Sequence, residues 1–389
     1  MKNLLDRTIA VFASNALAVV LLLFLLLLTF LGTIEQADRG LYEVQKKYFE
    51  SIFLVEWLFD TVPVPLPGVY LLLVLLGVNL LVGGVFKVRF TTAKIGIFVA
   101  HLGVVFLLLA GFLTYRLSER GYLMLHEGET AAEYTGEYDF EIAIRPDAPG
   151  GEVRELLIPE KSFRKATEDE PRAFVSGELP FRVEVLAWVR HCRPWPVQSA
   201  RRPASGAVEG FVLERLPDPK EAEAELRGAH VAVVDPASGR RTEALLWCGA
   251  PELPAGPFIT EAEGRRYSLE LRKERRSLPF ALRGEKSETE YHPRTRMPSA
   301  FTTEVTKIDG EVTQRVRIVM NEPLRHGDFT LYNSQVARDG QGDYTVLAVV
   351  RNPADQLPLY ATIVISLGLL IQFVRRLAKY IGGLAGRKA

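Results

Sequence analysis

The 389-residue chain is predicted to be a membrane protein of the α+β class, with four transmembrane α-helices carrying a large, mainly antiparallel β domain on the extracytoplasmic side. Three observations predict this. Four uninterrupted apolar runs of about 16–19 residues are each long enough, at about 1.5 Å of rise per residue, to cross a bilayer core. Between the third and fourth runs lies a long charged segment whose apolar and polar residues alternate, the period-two pattern of half-buried strands. Basic residues also flank the runs on one side of the membrane only. The equal numbers of basic and acidic residues, 47 each, and the mean hydropathy of +0.08 average these two unlike halves and describe neither.

The first run, Asn15 to Leu31, continues without a small-residue cleavage site and is expected to be a retained helix, not a signal peptide. In the following loop, residues 34–68, Leu41, Val44, Tyr48, Ile52, Val55 and Phe59 recur at spacings of three and four before Pro63, Pro65 and Pro67. That spacing predicts an amphipathic helix lying on the membrane surface. Val69 to Phe86 and Ile95 to Leu113 are the second and third runs, and the short loop between them holds Lys87, Arg89 and Lys94 with no acid. Lys2 and Arg7 precede the first run, and Arg375, Arg376 and Lys379 follow the fourth, Leu359 to Val374. By the positive-inside rule both termini and the short loop are expected in the cytoplasm. Gly32 to Gly68 and Thr114 to Pro358 then lie outside. Three divisions result: residues 1–113, residues 114–358, and residues 359–389.

Within the outer segment the runs Tyr138 to Ile144, Phe181 to Trp188, His230 to Val234, Tyr267 to Leu271, Arg315 to Met320 and Tyr344 to Val350 are separated by Gly, Pro and Asp, which predicts a sandwich or barrel. Glu221 to Arg227 is a charged stretch open to either a helix or a solvated loop. Asn321 to Gln335 predicts two strands around a tight His326-Gly327-Asp328 turn, serving as a structural hairpin or as a docking surface.

Few residues in this chain carry recognisable chemistry. Cys192 and Cys248 form one bridge or none, and the chain has no CxxC and no CxxCH, so it is not itself a c-type cytochrome. His126, His191, His230, His292 and His326 are scattered without zinc-ligand spacing. If His191 and Cys192 are adjacent in a strand, they point to opposite faces. His101 is different: it lies about six residues, or roughly 9 Å, inside the third run. Ionisable groups at that depth face a protein interior and mark a pathway or ligand site, or else hydrogen-bond a neighbouring helix for packing alone. At about 100° per residue, Gly96, Ala100, Gly103 and Ala110 form one narrow stripe, whereas His101 aligns with Ile97, Val105, Leu108 and Phe112. The small stripe is expected to dock on this chain's own helices, leaving His101 to face a partner. Asn79 lies at a similar depth in the second run, placed to hold the other ring nitrogen of His101 or to tie two helices together.

Four stretches carry a resemblance: Leu31-Gly32-Thr33-Ile34-Glu35-Gln36; His101-Leu102-Gly103 with Gly121-Tyr122 and Glu127-Gly128-Glu129; Asn321-Glu322-Pro323-Leu324-Arg325 followed by Phe329 to Gln335; and Val350-Arg351-Asn352-Pro353. In this order, with three helices before and one after a large domain, the chain resembles the ResB-like (CcsB-type) family of System II cytochrome c biogenesis. The resemblance implies a haem-handling and scaffold subunit, itself non-catalytic, of a cytochrome c synthetase in the bacterial cytoplasmic (inner) membrane. It implies a CcsA/ResC-type partner, haem b as the transported substrate and CxxCH apocytochromes as recipients. Membrane lipid surrounds such a protein, and no nucleic-acid partner is expected. It further implies that His101 is a haem axial ligand, with Asn79 behind it and a second ligand from the partner. Lys87, Arg89 and Lys94 would attract haem propionates or simply obey the positive-inside rule. Trp57, Trp188, Trp195 and Trp247 do not form the partner's tryptophan-rich segment, and residues 145–290 carry no recognised motif. Two other readings stay open: a structural anchor whose outer domain binds apocytochrome or steadies the partner, and an unrelated membrane-anchored sensor.

Overall fold

The computed structural model describes residues 2–58, 61–86, 91, 94–147, 154–217, 219–220, 224–236, 239–248 and 255–385. The chain forms two compact units, one of Met1–Glu119 with Arg351–Ala389 and one of Arg120–Val350.

The first unit contains four helices long and apolar enough to cross a membrane. A short helix, α1 (Lys2–Phe12), which the sequence reading did not anticipate, breaks at Ala13-Ser14. Ser14 has extended backbone angles, and its hydroxyl accepts from the Leu17 amide at 3.1 Å, capping α2 (Asn15–Arg39). Thus α2 runs two turns past Leu31, and the Gly32 to Gln36 motif is helical instead of leaving the helix. The second span, α3 (Val69–Phe86), is α-helical to Asn79 and then widens into a π-helical stretch, Leu80–Phe86. Next come α4 (Ile95–Leu117) and α5 (Leu357–Ala385).

The expected surface helix after α2 is only half formed. Leu41–Val44 and Gln45–Phe49 are helical, but Phe53–Leu58 (β1) and Val62–Pro67 (β2) make an antiparallel hairpin. The spacing of Ile52 and Val55 continues the helical pattern, yet three alternating prolines cannot sit in a helix and do fit one edge of a strand. Phe59 of that pattern lies outside the described residues, as do Lys87, Arg89 and the start of Glu221 to Arg227; Glu225–Arg227 is irregular.

The second unit is β-rich: β3 (Glu119–His126), β4 (Thr130–Pro146), β5 (Leu156–Pro159), β6 (Arg172–Phe174), β7 (Arg182–Val189), β8 (Cys192–Pro196), β9 (Phe211–Arg215), β10 (Gly228–Val234), β11 (Arg241–Trp247), β12 (Phe258–Ala262), β13 (Arg265–Tyr291), β14 (Pro298–Asp309), β15 (Val312–Val319), β16 (Leu324–His326), β17 (Phe329–Asp339) and β18 (Gly342–Arg351). The largest sheet runs β15-β14-β13-β4-β3-β18-β17-β16, with β12 on β13 and β5 on β4; a second runs β11-β10-β7-β6. Every strand expected from alternation falls on a strand of these sheets, with Phe181 and Met320 one residue outside β7 and β15.

The strands enclose two separate cores, and β13 contributes to both. Tyr267, Leu269 and Leu271 pack with Phe140, Ile142 and Ile144 of β4 against Val183, Val185, Val231 and Val233 of the second sheet. Farther along, Leu278, Phe280 and Leu282 enter a different core with Leu125, Val305, Ile318, Leu331 and Leu347. The buried positions of β13 thus switch from odd to even. The switch falls at two register shifts, Lys273/Arg275, where β4 carries three extra residues, and Ser277/Leu282, where β13 does; an odd number of extra residues turns later side chains to the opposite face. Around the second core Asn333 donates to Thr303 Oγ1 at 2.8 Å, and Thr345 Oγ1 donates to Asn333 Oδ1 at 3.3 Å, tying β14, β17 and β18.

A histidine held in a glycine notch

The small stripe of α4 docks as expected on the chain's own helix. Gly96, Ala100, Gly103 and Ala110 are its buried residues. A Cβ on Gly96 would stand 2.6 Å from the Gly368 carbonyl of α5, one on Gly103 would meet Ile365 at 2.7 Å, and one on Gly368 would meet the Ala100 amide at 2.4 Å. The two backbones therefore touch, as small residues allow. Gln372, one turn beyond Gly368, carries a buried side-chain oxygen with no partner among the described residues.

His101 is one residue from Ala100 and so turns away from α5, toward the π-helical part of α3. There it meets Gly84: a Cβ at that position would come within 2.5 Å of His101 Cδ2 and 2.9 Å of Cγ. The missing side chain makes a notch for one face of the ring, so His101 is half-buried against its own chain and not wholly turned to a partner. His101 Nδ1 lies 2.8 Å from the Ile97 carbonyl oxygen. A carbonyl only accepts, so Nδ1 carries the proton and Nε2 of the neutral ring keeps its lone pair. Nε2 has no hydrogen-bond partner among the described residues.

Asn79 does not hold the imidazole. Its amide nitrogen donates to the carbonyls of Phe12 at 2.7 Å and Ser14 at 3.0 Å, and the residue is buried. Phe12 ends α1, where helix termini leave acceptors unsatisfied, and Ser14 caps the start of α2. One turn on, Gly83 lies against the backbone of Ala13. Asn79 is thus helix glue, and the work of fixing the tautomer falls to Ile97, which sequence spacing could have suggested because a residue's i−4 carbonyl is always within reach. Lys94 is exposed beside the start of α4.

A second polar cluster, missed in the sequence, lies where α2 ends. Tyr48, 1% exposed, places its hydroxyl 2.6 Å from Glu35 Oε2 and in hydrogen-bond contact with Glu56, while Lys47 Nζ reaches Glu35 at 2.7 Å and Glu56 at 2.6 Å. Burial and the two carboxylates push the Tyr48 hydroxyl well above its usual range, so it stays protonated. Glu35 belongs to the Gly-Thr-Ile-Glu-Gln motif, which was the available signal.

Of the other histidines, His292 is exposed and the side chains of the remaining four have partners. His126 is bracketed by Glu129 and Asp339, each at 3.1 Å, and these acceptors raise its pKa. His191 Nδ1 accepts from the Leu226 amide at 2.9 Å; His230 Nε2 lies 3.1 Å from Glu243; His326 Nδ1 lies 2.7 Å from Lys307 Nζ. His326 pairs with Phe329 across the expected tight turn, where Gly327 has φ +54. Cys192 and Cys248 are both free thiols, and burial pushes Cys192 up to about 12, leaving it unreactive. Among the described residues no group of three His, Cys, Asp or Glu side chains is placed to hold a metal ion.

Comparison with protein-family models matches residues 258–346 to the ResB-like family, which is associated with cytochrome c biogenesis. The match bears out the resemblance noted from the motifs, covers β12 through the first half of β18, and includes the Asn321 to Gln335 segment with Asn333. It begins inside the stretch in which no motif had been recognised. A comparison with curated proteins gives no match.

Proposed function

We propose that this chain is a haem-handling and scaffold subunit of a System II cytochrome c synthetase, with His101 Nε2 as one axial ligand to the iron of transported haem. The observation that carries the reading is the prepared state of His101: Ile97 holds the proton on Nδ1, the Gly84 notch fixes the ring, and Nε2 is left with its lone pair. A neutral imidazole nitrogen so oriented is what haem iron takes as an axial ligand. The surroundings are consistent with a large apolar cargo, since Leu102 and Leu109 on α4 are exposed, at 44% and 52%. A second ligand would come from a CcsA/ResC-type partner, and the recipient would be a CxxCH apocytochrome. The first unit would lie in the bacterial inner membrane with both termini cytoplasmic, and the β unit outside. The family match supports the assignment to cytochrome c biogenesis. The test is the haem content and absorption spectrum of the complex purified with its partner. His101→Ala should lose the native spectrum, and His101→Gly should regain it with added imidazole. Unchanged haem content and coordination in His101→Ala would leave His101 a packing residue and the chain a structural anchor.

A further inference from the structure

We propose that the β1–β2 hairpin is a lipid anchor whose outward face sits at the headgroup–acyl boundary on the side of the membrane where α2 ends. Its register pairs Phe53 with Pro67, Val55 with Pro65 and Trp57 with Pro63, so these six side chains share one face. No charge interrupts that face, and Phe53, Val55 and Trp57 are 70%, 49% and 59% exposed. The other face is packed. Leu54, 7% exposed, joins a core with Leu28, Val69 and Leu72, and Glu56 is bound by Tyr48 and Lys47.

The same contacts set the depth of the hairpin. Tyr48 links Glu56 to Glu35, so the middle of β1 is level with Glu35, one turn beyond the apolar run of α2 that ends at Leu31. Strand residues are about 3.4 Å apart, which puts Val55 and Trp57 close to that level. The other end has no slack: Pro67 is joined to Val69 of α3 through Gly68, whose amide donates to the Ile52 carbonyl at 2.7 Å. A Cβ on Gly68 would collide with the Ser51 carbonyl, so only glycine permits this close return. The apolar ribbon is therefore continuous with two spans at the point where they leave the hydrocarbon. Tryptophan and bulky apolar residues favour that boundary. A protein strand adding to β2 would find no donors there. Gly68 donates toward β1, so the even-numbered β2 amides face the partner strand and the prolines at 63, 65 and 67 line the outer edge, without N–H groups.

The test uses the full chain reconstituted in phosphatidylcholine whose acyl chains carry bromine near the headgroup. The Trp57 signal is the emission of the native chain minus that of Trp57→Phe. It should fall to about half or less of its value in unbrominated lipid, as for an interfacial tryptophan. Emission untouched by brominated lipid but quenched by aqueous iodide would place the hairpin in water, and emission untouched by both would place it under protein. Either result overturns the proposal. Phe53→Trp in the Trp57→Phe background reads the same face independently and should give the same result if the native signal is too weak.

Discussion

Gly84 and His101 are sterically coupled, and the coupling can be measured. Gly84→Ala puts a methyl group inside the ring's present position, an overpacking expected to cost about 1–3 kcal/mol if the ring stays and less if it rotates out. A rotated ring breaks the bond from Nδ1 to Ile97 and misplaces Nε2. The expected outcome is a complex that still assembles but carries less haem with an altered Soret band; a native spectrum at full occupancy would show that the notch does not orient the ligand. Asn79→Leu should act differently, leaving the Phe12 carbonyl without the donor Asn79 supplies, at a cost of about 1–3 kcal/mol in thermal stability while sparing the haem spectrum. His126 offers a pH test. Its folded pKa is raised by Asp339 and Glu129, so its stabilising contribution is complete below the usual imidazole value of about 6.5 and is lost as pH rises through the raised value. Melting of the native chain relative to His126→Gln should therefore show an advantage at mildly acid pH that fades on the alkaline side; a pH-independent difference would remove the ion pairs from the account. His101 could be read from the sequence because an imidazole in an apolar run stands out. Its neighbour could not, since a glycine announces nothing about what fills the space it leaves.

At the scale of elements, the contact between α4 and α5 is decided by three glycines. Gly368→Val would press side-chain carbons into the Ala100 backbone, which cannot yield as a flexible side chain would. The helices must separate, at a cost of about 1–3 kcal/mol or more. Thermal unfolding in detergent should show it, and Gly96→Val added to Gly368→Val should cost less than the sum of the two, because both break one interface. The stripe on α4 was legible because helical period and residue size are both local properties. The loop after α2 misled for a related reason. Leu41, Val44 and Tyr48 follow helical spacing and are helical, yet the same count carried into Ile52 and Val55 crosses into β1. A six-residue strand contains too few apolar positions to distinguish period two from period three to four, and the prolines at 63, 65 and 67 held the information.

At the scale of the whole chain, the proposed topology, with both termini cytoplasmic and Arg120–Val350 outside, can be tested on the four candidate spans. Alkaline phosphatase joined within the β unit should be active, and joined after Ala385 inactive; the reverse would overturn the orientation read from Lys87, Arg89 and Lys94. The β unit makes its own demand. Asn333 joins three strands through Thr303 and Thr345 in a buried site. Asn333→Leu should lower stability by about 1–3 kcal/mol, visible in denaturant unfolding, by leaving both hydroxyls short of a partner.

The sequence by itself determined the number of spans, their positions and the strand-rich character of the long segment. Those properties follow from hydrocarbon thickness, from backbone hydrogen bonding and from side-chain alternation, all of which act over neighbouring residues. Tertiary structure alone decided what touches what. Gly84 receives His101 from the next helix, Asn79 reaches back 67 residues to Phe12, Gly96 meets Gly368, and β13 trades one core for another where its register with β4 shifts. Such contacts depend on how whole helices and strands pack, and packing is set by side chains far apart in the chain.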